Sequence, residues 1–181
     1  MTENSPETNQ DIFDVEIYPE DVLRTRAQEY TETEFGEQLQ LVGEKMLRTM
    51  YAYEGIGLAA NQINLAKRII VVDVTEDKSV QYIMINPEIT HTEGHTAIEE
   101  GCLSAPNVRD YVDRAEKITC EYYDPQGQKH TLEADGLLAI CIQHEIDHLN
   151  GIMFFDHLDS FKRNQAIDKV RKYKKKLQRG R

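Results

Sequence analysis

Gln143-His144-Glu145-Ile146-Asp147-His148-Leu149-Asn150-Gly151 is the stretch that decides how this chain is read. It carries the pattern H-E-x-x-H, and on a helix its two histidines stand one turn apart on one face, where both can grip one metal ion. Between them lies Glu145, an acid–base group beside that ion. The helical spacing continues upstream, because Leu137, Cys141, His144 and His148 fall at i, i+4, i+7 and i+11. Gly136–Leu149 is therefore predicted to be one helix whose apolar face runs into its metal face. An apolar pocket beside the metal follows, with ordinary burial as the alternative for Cys141.

Catalytic metal sites of this kind usually take three protein ligands and keep one position open. One protease pattern would continue after His148 as x-x-G-x-x-H, but Gly151 is followed by Ile152, Met153 and Phe154. Another takes a downstream Glu, and none follows Glu145, which leaves Asp156, Asp159 and Asp168 as formal possibilities. Upstream, Cys102 is the natural candidate, and a His/His/Cys set with one open position suits Fe(II) or Zn(II). Its surroundings, Glu99-Glu100-Gly101-Cys102-Leu103-Ser104-Ala105-Pro106, predict an irregular segment at a surface cleft. Cys120 lies in a predicted strand and reads as core. Three cysteines form neither an even disulfide framework nor a C-x-x-C pair, which fits the cytoplasm.

At 181 residues, 40% hydrophobic and 29% charged, the chain suits one soluble globular domain. No apolar run approaches the ~18 residues of a membrane span. The first twenty residues hold Glu3, Glu7, Asp11, Asp14, Glu16 and Glu20 with no Lys or Arg, the opposite of a leader peptide. Residues 1–14 lack apolar periodicity and are expected to form a mobile acidic extension, with residues 15–181 as a single catalytic domain. Apolar residues at Phe35, Leu39, Val42, Met46, Met50 and Tyr53 predict a helix over Phe35–Tyr53, closed by Gly55. Ile69–Val74, Tyr82–Asn86, Lys117–Tyr123 and Gln128–Ala134 read as strands, the last two joined by a type I turn over Asp124-Pro125-Gln126-Gly127. Phe161–Leu177, with Ile167, Val170, Tyr173 and Leu177 on one stripe, reads as a docked C-terminal helix. The fold class expected is α+β, with antiparallel sheets packed around a central metal-binding helix, an N-terminal helix and an amphipathic C-terminal helix.

Charge is unevenly placed. Residues 162–181 hold ten Lys and Arg against Asp168 alone, a net +9, so the remainder carries −20 of the overall −11. A basic helix face is usually solvated, and its sharper reading is a polyanion such as ribosomal RNA.

Three stretches in order, Gly55-Ile56-Gly57-Leu58-Ala59-Ala60-Asn61-Gln62, Glu100-Gly101-Cys102-Leu103-Ser104 and Gln143–Leu149, resemble the motifs of the peptide deformylases. The similarity runs from about residue 15 to about residue 175 and includes the entry segment Tyr18–Arg24. The resemblance implies removal of the formyl group from N-formylmethionyl nascent peptides. It implies Cys102, His144 and His148 as ligands of one divalent ion, Fe(II) first, with Zn(II) or Ni(II) as alternatives. Glu145 is then the acid–base residue, and Gln62 and the Leu103 N–H face the formyl oxygen. It further implies that Ile56, Gly57, Gly101, Arg109, Leu137, Ile140 and Cys141 meet the substrate, with Ile56 and Gly101 offering backbone hydrogen bonds. Asn61 stands where Thr is common in the family and Ala105 where a larger aliphatic residue is frequent. A monomer is expected, without DNA or membrane partners. The rival readings are a zinc peptidase using the same H-E-x-x-H, indifferent to Cys102, and a ribosome-associated binding protein without activity.

Overall fold

The structure, a computed structural model, describes residues 11–180. Three helices, α1 (Glu37–Ala52), α2 (Gly136–Leu149) and α3 (Ser160–Arg179), surround two sheets. The larger sheet is antiparallel throughout and has the order β1-β2-β3-β6-β7, with β1 at Gly57–Ala59, β2 at Ile69–Val72, β3 at Tyr82–Glu93, β6 at Lys117–Tyr123 and β7 at Lys129–Asp135. The smaller one is a hairpin of β4 (Thr96–Cys102) and β5 (Ala105–Arg114).

The run Ile69-Ile70-Val71-Val72 is apolar at every position because both faces of β2 are covered. Ile69 and Val71 pack with Leu39, Met46 and Met50 of α1, while Ile70 and Val72 pack with Ala139, Ile142, Ile146 and Leu149 of α2. The sheet is thus sandwiched between the two helices, and α2 is central as expected. A second core joins Val108 and Val112 of β5 to Ala166 and Val170 of α3, with Tyr18, Phe154 and Phe155 between them. It holds the hairpin against the body.

Three expectations change. β3 continues past Asn86 through Pro87 to Glu93, because the pairing with β6 shifts register between Ile85 and Glu88. Proline, which lacks an N–H, is tolerated at such a bulge. Asn86 adopts φ +49 there, and its side chain bonds both the N–H and the carbonyl of Tyr30. Conversely β2 stops at Val72, since Asp73 turns its carboxylate to Thr75 and Tyr51. The segment read as irregular around Cys102 is the β4–β5 hairpin, with Leu103 and Ser104 at its turn. Of the acidic extension, residues 1–10 lie outside the described residues. Phe13 packs against the α1 core, and its N–H donates to Thr49 Oγ1 at 2.9 Å.

The chain after α2 is tied down by Asp156, which accepts hydrogen bonds from Arg24, Arg163 and the Met153 N–H. Burial pushes its carboxyl up, but these hydrogen bonds and the Arg24 charge outweigh that and hold it below the usual aspartate value. A group whose folded value is depressed contributes stability that is present above its unfolded pKa of about 3.9 and is lost as pH falls through the folded value. Asp156→Asn is therefore expected to lower the thermal midpoint by about 3–6 °C at pH 7, for a loss of about 1.5 kcal/mol. The gap from the parent should close as pH falls through that lowered folded value; a gap that persists in acid would show that the carboxylate charge is not what matters.

Candidate active site

α2 positions three groups at once. His144 and His148, one turn apart, face Cys102 at the end of β4, and one donor atom from each of the three lies within 4.8 Å of the others. His148 Nε2 is 3.2 Å from the Cys102 Sγ. His144 pairs through Nδ1 with Glu100 Oε1 at 2.9 Å, which leaves Nε2 to face the sulfur. Glu100 is itself gripped by Arg114, whose Nε and Nη2 each lie 2.9 Å from its two oxygens. Arg114 also donates to Asp147 at 2.6 Å, and His157 meets Asp147 at 2.8 Å. The Arg114–Asp147 pair is therefore one part of a buried chain that orients His144.

The donor set fits a divalent cation. Burial alone would lower the His144 value, but hydrogen bonds to Cys102 and Glu100 outweigh it and raise it well above the usual imidazole. The site draws a proton to the place where a cation would sit. His148, by contrast, is held well below the usual value by burial and then by the His144 charge, so it stays neutral as a ligand should be. Its Nδ1 has no hydrogen-bond partner among the described residues.

Glu145 is 4% exposed, and its Oε2 likewise has no partner among the described residues. Burial, outweighing the favourable His144 charge, pushes its carboxyl up to about 7. β1 lies directly against it: a Cβ on Gly57 would stand 2.6 Å from Glu145 Oε1 and 2.7 Å from Cys141 Sγ, so only glycine lets the strand approach this closely. Gln62 follows β1 in a 3-10 turn. Its Oε1 accepts the Ala59 N–H at 2.9 Å, which turns Nε2 toward Ser104 Oγ at 3.1 Å and Cys102 Sγ at 3.6 Å. Asn61 beside it donates to the carbonyls of Val22 and Thr25 and so fastens the entry segment.

These groups floor a cleft of about 690 Å³ between β1, β4 and α2. Of the site residues that the resemblance implies, all but His148 line it: Ile56, Gly57, Gln62, Gly101, Cys102, Leu103, Arg109, Leu137, Ile140, Cys141, His144 and Glu145. Leu137 and Ile56 sit at the rim, 43% and 42% exposed, while Ile140 and Cys141 are buried. The Cys141 thiol lies 3.6 Å from the Ile56 carbonyl, and burial raises its value well above the ordinary thiol. Arg109 reaches over Gly101 and donates to the Glu99 carbonyl at 3.3 Å.

The sequence did not single out Glu100 and Ser104 for these parts. Ser104, fully buried, receives Gln62, and its carbonyl accepts the Tyr18 N–H at 3.0 Å. Both lie inside the motif around Cys102, but an acid in a run that already holds Glu99, and one serine in a turn, carry no distinguishing spacing.

The model of the polypeptide deformylase family matches residues 12–164. Among solved structures, a peptide deformylase from Legionella pneumophila is 42% identical, with 93% of this chain and 98% of that chain covered and a TM-score of 0.87. One from Synechococcus elongatus in complex with actinonin is 40% identical, covering 90% of this chain and 89% of that one, with a TM-score of 0.82. A class I type b enzyme from Acinetobacter baumannii, solved with Met-Ala-Ser bound, is 33% identical over 81% of this chain and 98% of that one, with a TM-score of 0.77. With its three motifs meeting in one cleft and the family's model spanning most of its length, the chain belongs to the peptide deformylases, metallohydrolases that remove the formyl group from the N-terminus of new proteins.

Proposed function

We propose that Cys102, His144 and His148 hold one divalent ion, Fe(II) before Zn(II) or Ni(II), and that Glu145, Gln62 and the Leu103 N–H carry the hydrolysis of N-formylmethionyl peptides beside it. The observation that carries this reading is the convergence, at the floor of one cleft, of the three donor atoms and a buried carboxyl oxygen without a partner. When bound, the ion supplies Lewis acidity that polarises a carbonyl and makes a water nucleophilic near neutrality.

The chain's own residues then do the following. Glu145, with its value near 7, takes a proton from the attacking water on Oε2 and passes it to the departing amine nitrogen as the C–N bond breaks and formate leaves. The Gln62 amide, fixed by the Ala59 N–H, and the Leu103 N–H donate to the carbonyl oxygen as negative charge grows there. One such donor is typically worth about 3 kcal/mol at the transition state. Ile140 and Cys141 receive the methionine side chain, with Leu137 closing the rim. β1 and β4 are edge strands of two different sheets and both border the cleft, so an extended peptide that pairs with Ile56 on one side and Gly101 on the other would join them. The A. baumannii relative bound to Met-Ala-Ser supports the reading, since that tripeptide is what remains when formyl-Met-Ala-Ser loses its formyl group.

A tight oxygen site next to buried side chains excludes larger acyl groups. The metal-loaded protein is expected to turn over formyl-Met-Ala-Ser at least 10²-fold faster than acetyl-Met-Ala-Ser, about the discrimination a well-fitted pocket achieves against an added carbon. Equal rates on the two peptides would contradict the assignment of this cleft.

We also propose that the basic face of α3 meets the ribosome in the cytoplasm, with the enzyme a monomer. Ala166 and Val170 are committed to the core, while Lys172, Lys175 and Lys176 are exposed. No helix among the described residues is long and apolar enough to cross a membrane. Reversing those three lysines to Glu is expected to abolish co-sedimentation with ribosomes, and undiminished co-sedimentation would refute the contact.

A further inference from the structure

Gln62 and the Leu103 N–H, the two groups assigned to the carbonyl oxygen, come from different sheets. Gln62 follows β1 and Leu103 turns between β4 and β5, and among the described residues no backbone hydrogen bond runs from one turn to the other. The entry segment crosses both. Its Glu16 N–H donates to the Gln62 carbonyl at 2.7 Å and its Tyr18 N–H to the Ser104 carbonyl at 3.0 Å, so two residues of chain span the gap between the turns. The Tyr18 ring, buried edge-on against Phe155 at 5.3 Å, anchors the segment on the hairpin side.

On the other side the segment is held by Asn61. Its Nδ2 donates to the carbonyls of Thr25 at 2.7 Å and Val22 at 3.1 Å, and with a carbonyl for each hydrogen the amide can point only one way. The residue is fully buried after the apolar run Leu58-Ala59-Ala60, and its Oδ1 has no partner among the described residues. An amide oxygen buried unpaired is unfavourable, and folded chains keep few of them. Such a group beside a catalytic donor points to a function. Together Asn61 and Gln62 grip the entry segment at Glu16, Val22 and Thr25, which fixes where the Tyr18 N–H meets the hairpin turn. Without the Asn61 amide the segment is free to shift over the Gln62 turn, and the gap between the two oxygen-facing donors is no longer set.

We propose that Asn61 is a positioning residue for formyl hydrolysis, acting through the entry segment to set the separation between the Gln62 amide and the Leu103 N–H. The inference rests on the formyl-hydrolase reading of the cleft. Donors aimed at the charge that develops on the oxygen lower the barrier without tightening substrate binding, so a misplaced donor lowers kcat and spares KM. Asn61 does not line the cleft, and its hydrogen bonds go to Val22 and Thr25 and not to the metal-ligand side chains. Metal affinity therefore stays that of the parent.

The test compares the parent, Asn61→Ala and Asn61→Thr, each loaded with Fe(II) under anaerobic conditions and assayed on formyl-Met-Ala-Ser, with rates taken per metal-bound chain. Removing an oxygen-facing donor outright costs about 10²–10³-fold in kcat, and a displaced donor keeps part of its effect. Asn61→Ala is therefore expected to lose about 10- to 30-fold in kcat, with KM and metal affinity within about 2-fold of the parent. Thr offers one hydroxyl to the two carbonyls, so Asn61→Thr should fall between Asn61→Ala and the parent. The loss should run through Gln62: in a Gln62→Met background, either substitution should cost no more than about 2-fold. If Asn61→Ala does not fold, Asn61→Thr in the two backgrounds decides by the same criterion. Unchanged kcat, a loss carried by KM or by metal affinity, or a loss that persists without Gln62 overturns the role of Asn61 alone. If the parent itself yields no formate, the reading of the cleft falls and this inference falls with it.

Discussion

Glu145→Gln is expected to bind metal as the parent does and to release formate about 10²–10⁴-fold more slowly, the usual contribution of a positioned acid–base group. The substitution keeps the volume that packs against Gly57 and removes only the ability to accept a proton. Because Glu145 is buried and its Oε2 has no partner, the neutral amide relieves the cost of burying a charge, so thermal stability should hold or rise. Catalysis and stability then move in opposite directions, which distinguishes a chemical role from a structural one. Unchanged kcat/KM would remove Glu145 from the reaction.

Cys102→Ser is expected to weaken metal binding by more than 100-fold and to lower formate release in proportion. Loss of a residue that only orients a ligand typically costs 10–100-fold, and loss of the ligand itself should cost more. Serine supplies a neutral hydroxyl in place of a thiolate, and the two remaining imidazoles, one of them neutral by burial, cannot balance a divalent charge. The variant also separates this enzyme from a zinc peptidase built on H-E-x-x-H, which would be indifferent to Cys102. Full metal content in Cys102→Ser, measured by elemental analysis, would show that the third ligand lies elsewhere.

The helices were legible because their signals are local. α1 and α2 follow from apolar spacing, and His144, Glu145 and His148 from one five-residue pattern on a helix. The β4–β5 hairpin was not legible, because its faces carry Glu99, Glu100, Arg109, Asp110, Asp113 and Arg114 and so break the alternation that marks a strand. Several of these charges are spent on one another and on α2: Glu100 and Arg114 are buried against His144 and Asp147, a pairing that spacing cannot reveal. Gly55 closes the end of α1 as its place after the helical stripe suggests, donating to the Met50 carbonyl, while the left-handed residue before it is Glu54, which no spacing marks. Cys102 came from the search for a third ligand and the role of Gln62 from motif resemblance, and their mutual approach at 3.6 Å depends on two turns from different sheets meeting over α2.

The central claim is that one ion held by Cys102, His144 and His148 turns this cleft into a formyl hydrolase. The direct measurement is a titration of metal-free protein with Fe(II) under anaerobic conditions, following formate released from formyl-Met-Ala-Ser. Activity should rise linearly and level off at one ion per chain, with the free methionine amine formed in step with formate. Formate release that ignores the metal, or an active protein that cuts internal peptide bonds and leaves the formyl group in place, would contradict the account.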